Sequence, residues 1–78
     1  MATKAYVLIE ATVGKSRDVW TALRSVKAVT ESYLITGAYD LVAMVDAKDA
    51  DEVTGVVTSQ IHVIPGITRT VTCLTIKI

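Results

Sequence analysis

The sequence predicts an α+β fold in which two β-α-β units follow one another. Three features carry that expectation. Runs rich in β-branched and aromatic residues open the chain, fill its middle and close it. Two stretches with apolar residues at helical spacing lie between those runs, and isolated glycines or a Pro-Gly pair mark the breaks. The order βαββαβ is the ferredoxin-like pattern, a four-stranded antiparallel sheet with two helices on one face.

Lys4 to Thr12 is the first strand. Its alternating sets, Ala5, Val7, Ile9 and Ala11 against Tyr6 and Leu8, are both largely apolar, which predicts burial on both faces. Gly14 breaks it. Ser16 or a neighbour is expected to cap a helix running to about Lys27, with Asp18 favourably placed in the first turn. Val19, Ala22, Leu23 and Val26 fall at i, i+3, i+4 and i+7 and form the face laid on the sheet. Trp20, about 100° around the helix from Val19, sits at the border of that stripe, as core-edge packing or as an interface anchor.

Val29 to Thr36 and Tyr39 to Ala47 are the next two strands, joined through a turn at Gly37 to form a hairpin. Gly37 can take positive φ cheaply, and Asp40 can hydrogen-bond nearby amides. The middle of the third strand is apolar on both sides, as in a central strand. Asp49 followed by Glu52 resembles a capping box and opens a second helix from Ala50 to His62, with Val53, Val56, Val57 and Ile61 as its buried stripe. Ile64-Pro65-Gly66-Ile67 reads as a type II turn, and a final strand runs from Ile67 to Ile78.

At 78 residues the chain has room for one small domain, and such a domain hides only about 60% of the surface it exposes when unfolded. Yet 51% of its residues are hydrophobic. Tyr6, Leu8, Val42 and Met44 belong to the alternation sets facing away from the helices, so they would form an exposed apolar patch. A dimer packed sheet to sheet, a dimeric α/β sandwich, is therefore expected. Eight basic residues balance eight acidic ones, which leaves no positive field to gather phosphate and argues against direct nucleic-acid binding. No apolar run approaches the roughly 18 residues of a membrane span and no secretion signal is evident, so no membrane partner and a cytoplasmic location are expected.

Little in the chain supports catalysis. One His and one Cys, without CxxC or HxxxH, make no metal site, and no glycine motif for phosphate is present, so no cofactor is expected. Cys73, alternating with Val71 in a strand-like run, reads as a small buried hydrophobe. His62, at the end of the second helix, reads as a helix-end cation. Glu10 can approach the dimer surface and pair with a base such as Arg69, but no partner for general acid-base work is apparent. The Thr36-Gly37-Ala38-Tyr39-Asp40 turn stands apart. As a plain hairpin, it would use Asp40 to cap loop amides. As a site, Asp40 would answer a cation while loop amides answer an anion, the two charges of a free amino acid.

Ala5-Tyr6-Val7-Leu8-Ile9, Thr36-Gly37-Ala38-Tyr39-Asp40-Leu41-Val42, Ile61-His62-Val63-Ile64-Pro65-Gly66-Ile67 and Thr68-Arg69-Thr70-Val71-Thr72 resemble the effector-binding (RAM) domain of Lrp/AsnC transcriptional regulators, over nearly all 78 residues. The resemblance implies a single such domain spanning 1–78 without the helix-turn-helix of full-length members. It also implies a sheet-to-sheet dimer and rings of dimers reaching octamers or similar assemblies, with small effectors, usually amino acids, held between dimers. Carried over by motif, Thr36, Gly37, Tyr39 and Asp40 line the pocket, with Thr68 and Thr70 facing it from the last strand. Action alone or with full-length Lrp/AsnC regulators is implied. Two alternatives from other classes are a small cofactorless enzyme of the monooxygenase or isomerase type and a purely structural adaptor.

Overall fold

The computed structural model describes residues 3–76. Its elements are β1 (Thr3–Ala11), α1 (Ser16–Leu23), β2 (Val29–Leu34), β3 (Leu41–Ala47), α2 (Ala50–Val56), a π-helical turn (Val57–Ile61) and β4 (Ile67–Leu74). The four strands form one antiparallel sheet in the order β2-β3-β1-β4, the ferredoxin-like arrangement. The expected strand ending at Ile78 runs to Leu74, and residues 77 and 78 lie outside the described residues.

The core sits between the sheet and the helices. From β1 and β3, Ala5, Val7, Ile9, Leu41, Ala43 and Val45 are almost entirely buried, and they meet Val19 and Leu23 of α1 and Val53 of α2. Every buried residue in this layer is apolar among those described. The opposite face of the sheet has no helix on it. Tyr6 there is 43% exposed, and Leu8, Val42 and Met44 are half-buried, so the expectation that β1 is buried on both faces holds for one face of the single chain. Cys73 is corrected for the same reason. It pairs with Tyr6 on edge strand β4, shares the uncovered face and is exposed.

Local chemistry sets the element ends. α1 stops at Leu23, short of the expected Lys27, because the next amides bond three residues back: Arg24 to Thr21, Ser25 to Ala22 and Val26 to Leu23. Val26 still reaches the core through this tightened turn. Ser16 is the first helical residue rather than the cap. Lys15 stands at the cap position without a side-chain cap bond. For α2 the capping box forms with a shift. Asp49 Oδ1 accepts from the Glu52 amide at 2.8 Å, while Glu52 Oε1 accepts from Lys48 N–H at 2.9 Å, one residue before the cap.

The second helix changes character at Val57. Ser59 Oγ donates to the Gly55 carbonyl at 2.6 Å and so competes for an acceptor of the regular ladder, and His62 N–H bonds five residues back to the Val57 carbonyl at 2.8 Å. The wider turn keeps Val57 and Ile61 in the core and delivers His62 to the edge of β4. Trp20 packs against the core from α1, and its indole N–H donates to the Ser32 carbonyl at 3.1 Å.

Gly66 closes the connection into β4 with φ +101°, and a Cβ there would lie 3.0 Å from Lys15 Cβ and 3.3 Å from Val19 Cγ2. Gly66→Ala should destabilise the fold by about 1–3 kcal/mol. Gly55, helical and with open space around its would-be Cβ, gives the opposite control: Gly55→Ala should stabilise by roughly 0.5–1 kcal/mol. Urea unfolding of both variants reads the two signs.

Candidate functional site

The site grows from a mismatch between β1 and β4. Glu10 pairs with Arg69 and Ala11 with Ile67, so Thr68 is an extra residue on β4, a bulge of the kind that re-aims side chains. Thr68 Oγ1 lies 2.9 Å from Glu10 Oε1 and 3.1 Å from the Glu10 carbonyl, where its single hydroxyl proton is shared. The Ala11 amide, like the Ile9 carbonyl, points to the β3 side of β1, one step past the end of β3. Asp40 Oδ2 accepts it at 2.8 Å, and the Asp40 amide donates to the Ile9 carbonyl at 2.9 Å. Asp40 thus ties the β2–β3 hairpin to the end of β1.

Of the residues nominated by sequence, Tyr39, Asp40 and Thr68 come together around this junction, whereas Thr70, opposite Ile9, lies on the helix-bearing face of β4. Thr36 and Gly37 form the exposed tip of the hairpin, Gly37 with φ +125°. Strands β2 and β3 are shorter than expected, β2 ending at Leu34 and β3 starting at Leu41, because residues 35–40 form the turn, closed by Ile35 N–H on the Asp40 carbonyl at 2.9 Å.

Two further residues join them. The Arg69 guanidinium carbon lies 5.9 Å from the centroid of the Tyr39 ring, a cation-π contact linking β4 to the hairpin. His62 Nε2 hydrogen-bonds Thr70 Oγ1. A cleft of about 290 Å3 is lined by His62, Ile67, Thr68, Arg69 and Thr70. The cation of Arg69 is not on the Glu10 carboxylate, which takes Thr68 instead. The available signals in the sequence were the basic residue between two threonines and a lone histidine preceding Pro-Gly. Neither indicates which side chain it meets. Larger hollows lie elsewhere, a groove of about 490 Å3 between α1 and β2 and a basin of about 460 Å3 near Asp46, and neither gathers the nominated residues.

Cross-strand register puts Glu10 and Arg69 on the uncovered face of the sheet, and Thr70 with His62 on the helix-bearing face. The carboxylates of Asp40 and Glu10 and the Arg69 guanidinium suit a small ligand bearing both charges. Among the described residues no group of three or more His, Cys, Asp or Glu is placed to hold a metal ion, and no helix is long and apolar enough to cross a membrane.

A family model described as the Lrp/AsnC ligand binding domain matches residues 4–78. The chain belongs to that family. Among solved structures, this Lrp/AsnC domain is similar to a protein of Thermus thermophilus, with 37% identity and a TM-score of 0.91 over 97% of this chain and 95% of that one. It is similar also to FFRP-DM1, at 30% identity and TM-score 0.88, over 95% and 99%. A transcriptional regulator of Neisseria meningitidis, solved as its L-Met complex, shares the fold at 14% identity and TM-score 0.85. There the match covers 96% of this chain and half of that one. Comparison with the curated proteins found no match. The Lrp/AsnC family is regulatory rather than catalytic.

On the uncovered sheet face, Tyr33 Oη donates to Glu31 Oε1, and this bond and the adjacent negative charge push the phenol above its ordinary value. A raised folded-state value means that the pair's stabilisation is complete below the unfolded value near pH 10 and is lost as pH rises through the folded one. In ultraviolet titration, Glu31→Gln should shift one tyrosine to lower pH. At the hairpin, Asp40→Ala removes the acceptor of the Ala11 amide and should cost about 1–3 kcal/mol in urea unfolding.

Proposed function

We propose that residues 1–78 act as a single effector-binding and assembly domain whose ligand is an amino acid. The juxtaposition of the hairpin turn with the bulged start of β4, within a domain of this family, carries the reading. An ionised carboxylate has two oxygens, and Asp40 spends one bond of Oδ2 on Ala11, so it retains acceptor capacity for an ammonium group. Amides of the turn answer the ligand's carboxylate. The L-Met complex of the Neisseria regulator supports an amino acid as the ligand class for this fold.

Assembly follows from the uncovered sheet. Tyr6, Leu8, Val42, Met44 and Val71 share that face, and burying even a few hundred Å2 of it contributes several kcal/mol at about 25 cal/mol per Å2, comparable to the stability of a small domain. In this reading two copies pack sheet to sheet and dimers associate into a ring of octamer size or similar, with the open site completed by a neighbouring subunit. Regulation of transcription then passes through co-assembly with full-length Lrp/AsnC regulators, in the cytoplasm and without direct DNA contact. The core layer favours this over the cofactorless-enzyme reading, because apolar side chains fill the space between sheet and helices that such an enzyme uses as its cavity.

Calorimetric titration with the twenty amino acids, with Asp40→Ala as control, should show binding of at least one that weakens tenfold or more in the variant. Binding indifferent to Asp40, or none, refutes the site. Light scattering with and without that ligand should show a change in assembly mass, since a ligand shifts an equilibrium only by binding its states unequally. Met44→Asp should dissociate the dimer and speed the reaction of Cys73 with a thiol reagent, because Cys73 lies on the face the dimer covers.

A further inference from the structure

We propose that the outer faces of the two helices form a second contact between copies of this chain, in which the basic side of α1 receives the acidic start of α2 from a neighbour, and the reverse. This rests on the assembly reading above and names the surface that joins one sheet-to-sheet dimer to the next.

The formal net charge of zero conceals a separation. Lys15, Arg17, Arg24 and Lys27 lie in or beside α1 with Asp18 as the one acid, four cations against one, formally +3. Asp46, Asp49, Asp51 and Glu52 lie at the end of β3 and the start of α2 with Lys48 as the one base, four anions against one, formally −3. Arg17, Thr21 and Arg24 stand at i, i+4 and i+7, away from buried Val19 and Leu23, and all three are exposed. Asp51, two residues before buried Val53 and so about 200° around α2, is exposed as well. Asp49 and Glu52 are engaged by the Glu52 and Lys48 amides, so Asp51 is the acid of that turn outside the cap.

Arg24 is already ordered. Its guanidinium carbon lies 5.1 Å from the centroid of the Trp20 ring, and the indole is itself tied to the Ser32 carbonyl at 3.1 Å. The ring limits the directions the guanidinium can take, so less freedom is lost when a carboxylate arrives. Exposed ion pairs alone contribute little. Here, however, Arg17, Trp20 and Leu34 border the groove of about 490 Å3 between α1 and β2, which adds apolar surface to the contact, Leu34 being 44% exposed.

Topology makes the contact reciprocal. β1 and β3 are antiparallel, so the helices that follow them start at opposite ends of the sheet. The end of α1 and the start of α2 therefore lie side by side, and Lys27 and Glu52 border one basin. A two-fold axis along the helices lays α1 of one copy on α2 of the other and sets Arg24 towards Asp51 of the partner subunit twice over, an isologous contact. Sheet-to-sheet packing uses the opposite face of each subunit. Two isologous contacts that alternate on opposite faces, with their axes inclined, generate a closed dihedral assembly of dimers.

Light scattering on the full chain tests the contact, with Arg24→Glu and Asp51→Lys as opposite charge reversals. The wild-type chain at low salt should exceed the mass of a dimer and fall to it as salt is raised to about 0.5 M. Each variant alone should stay dimeric at low salt, because it sets like charges across both halves of the contact. An equimolar mixture of the two should regain the wild-type mass, which a folding defect in either variant would not produce. A mixture that stays dimeric, a variant that assembles alone, or a wild-type chain that is dimeric at low salt overturns the inference and leaves the sheet-to-sheet dimer standing. A wild-type mass above the dimer that salt does not lower overturns it too. A monomer under every condition removes the assembly reading with it.

Discussion

Everything in this domain depends on how few side chains must fill one layer between sheet and helices. β1 and β3 are the central strands, and their inward sets are aliphatic and small, with alanines alternating among Val, Ile and Leu. Small residues let the two short helices approach closely. The helices contribute little on their own account, since α1 has eight residues, α2 has seven, and isolated helices of such length are marginal in water. Docking onto the apolar face holds them, and the same docking leaves the second face of the sheet uncovered.

That one-sided covering connects packing to function. Protecting a fully apolar core consumes no polar group, so the polar residues of the chain gather at element ends, where strands stop and turns begin. At one such end the Ala11 amide points past the end of β3, Asp40 captures it, and the hairpin is tied to β1. One carboxylate thereby holds the tip that carries Tyr39, and Tyr39 in turn lies under Arg69. The structural role of Asp40 and a ligand-binding role are compatible, because a carboxylate has acceptor sites to spare.

Much of the fold is legible because period is a strong signal. The two-residue alternation of β1 and β3, the 3.6-residue stripe of α1 and the Pro-Gly turn each require a single structure. Sequence and structure part where a local rule meets a tertiary one. The apolar stripe extends helix α1 beyond its true end because Val26 continues the spacing, yet Val26 reaches the core from a tighter turn. Cys73 reads as buried because it sits in an apolar alternation, but its strand is an edge and its face has no helix. In the site, Thr36, Gly37, Tyr39 and Asp40 are visible as a motif. Arg69 and His62 read only as a charge partner and a helix-end cation, since their contacts with Tyr39 and Thr70 require the bulge and the π-helical turn.

The amino-acid order by itself determined the succession of elements, the inward face of each and the presence of more apolar surface than one copy conceals. These follow from the spacing of apolar residues and from where glycine and proline permit a turn. Only the tertiary structure decided which polar groups meet. A one-residue offset between β1 and β4 sends Glu10 to Thr68 and leaves Arg69 to Tyr39. An offset of that kind is set by how two distant strands pair, and no local pattern in either strand records it.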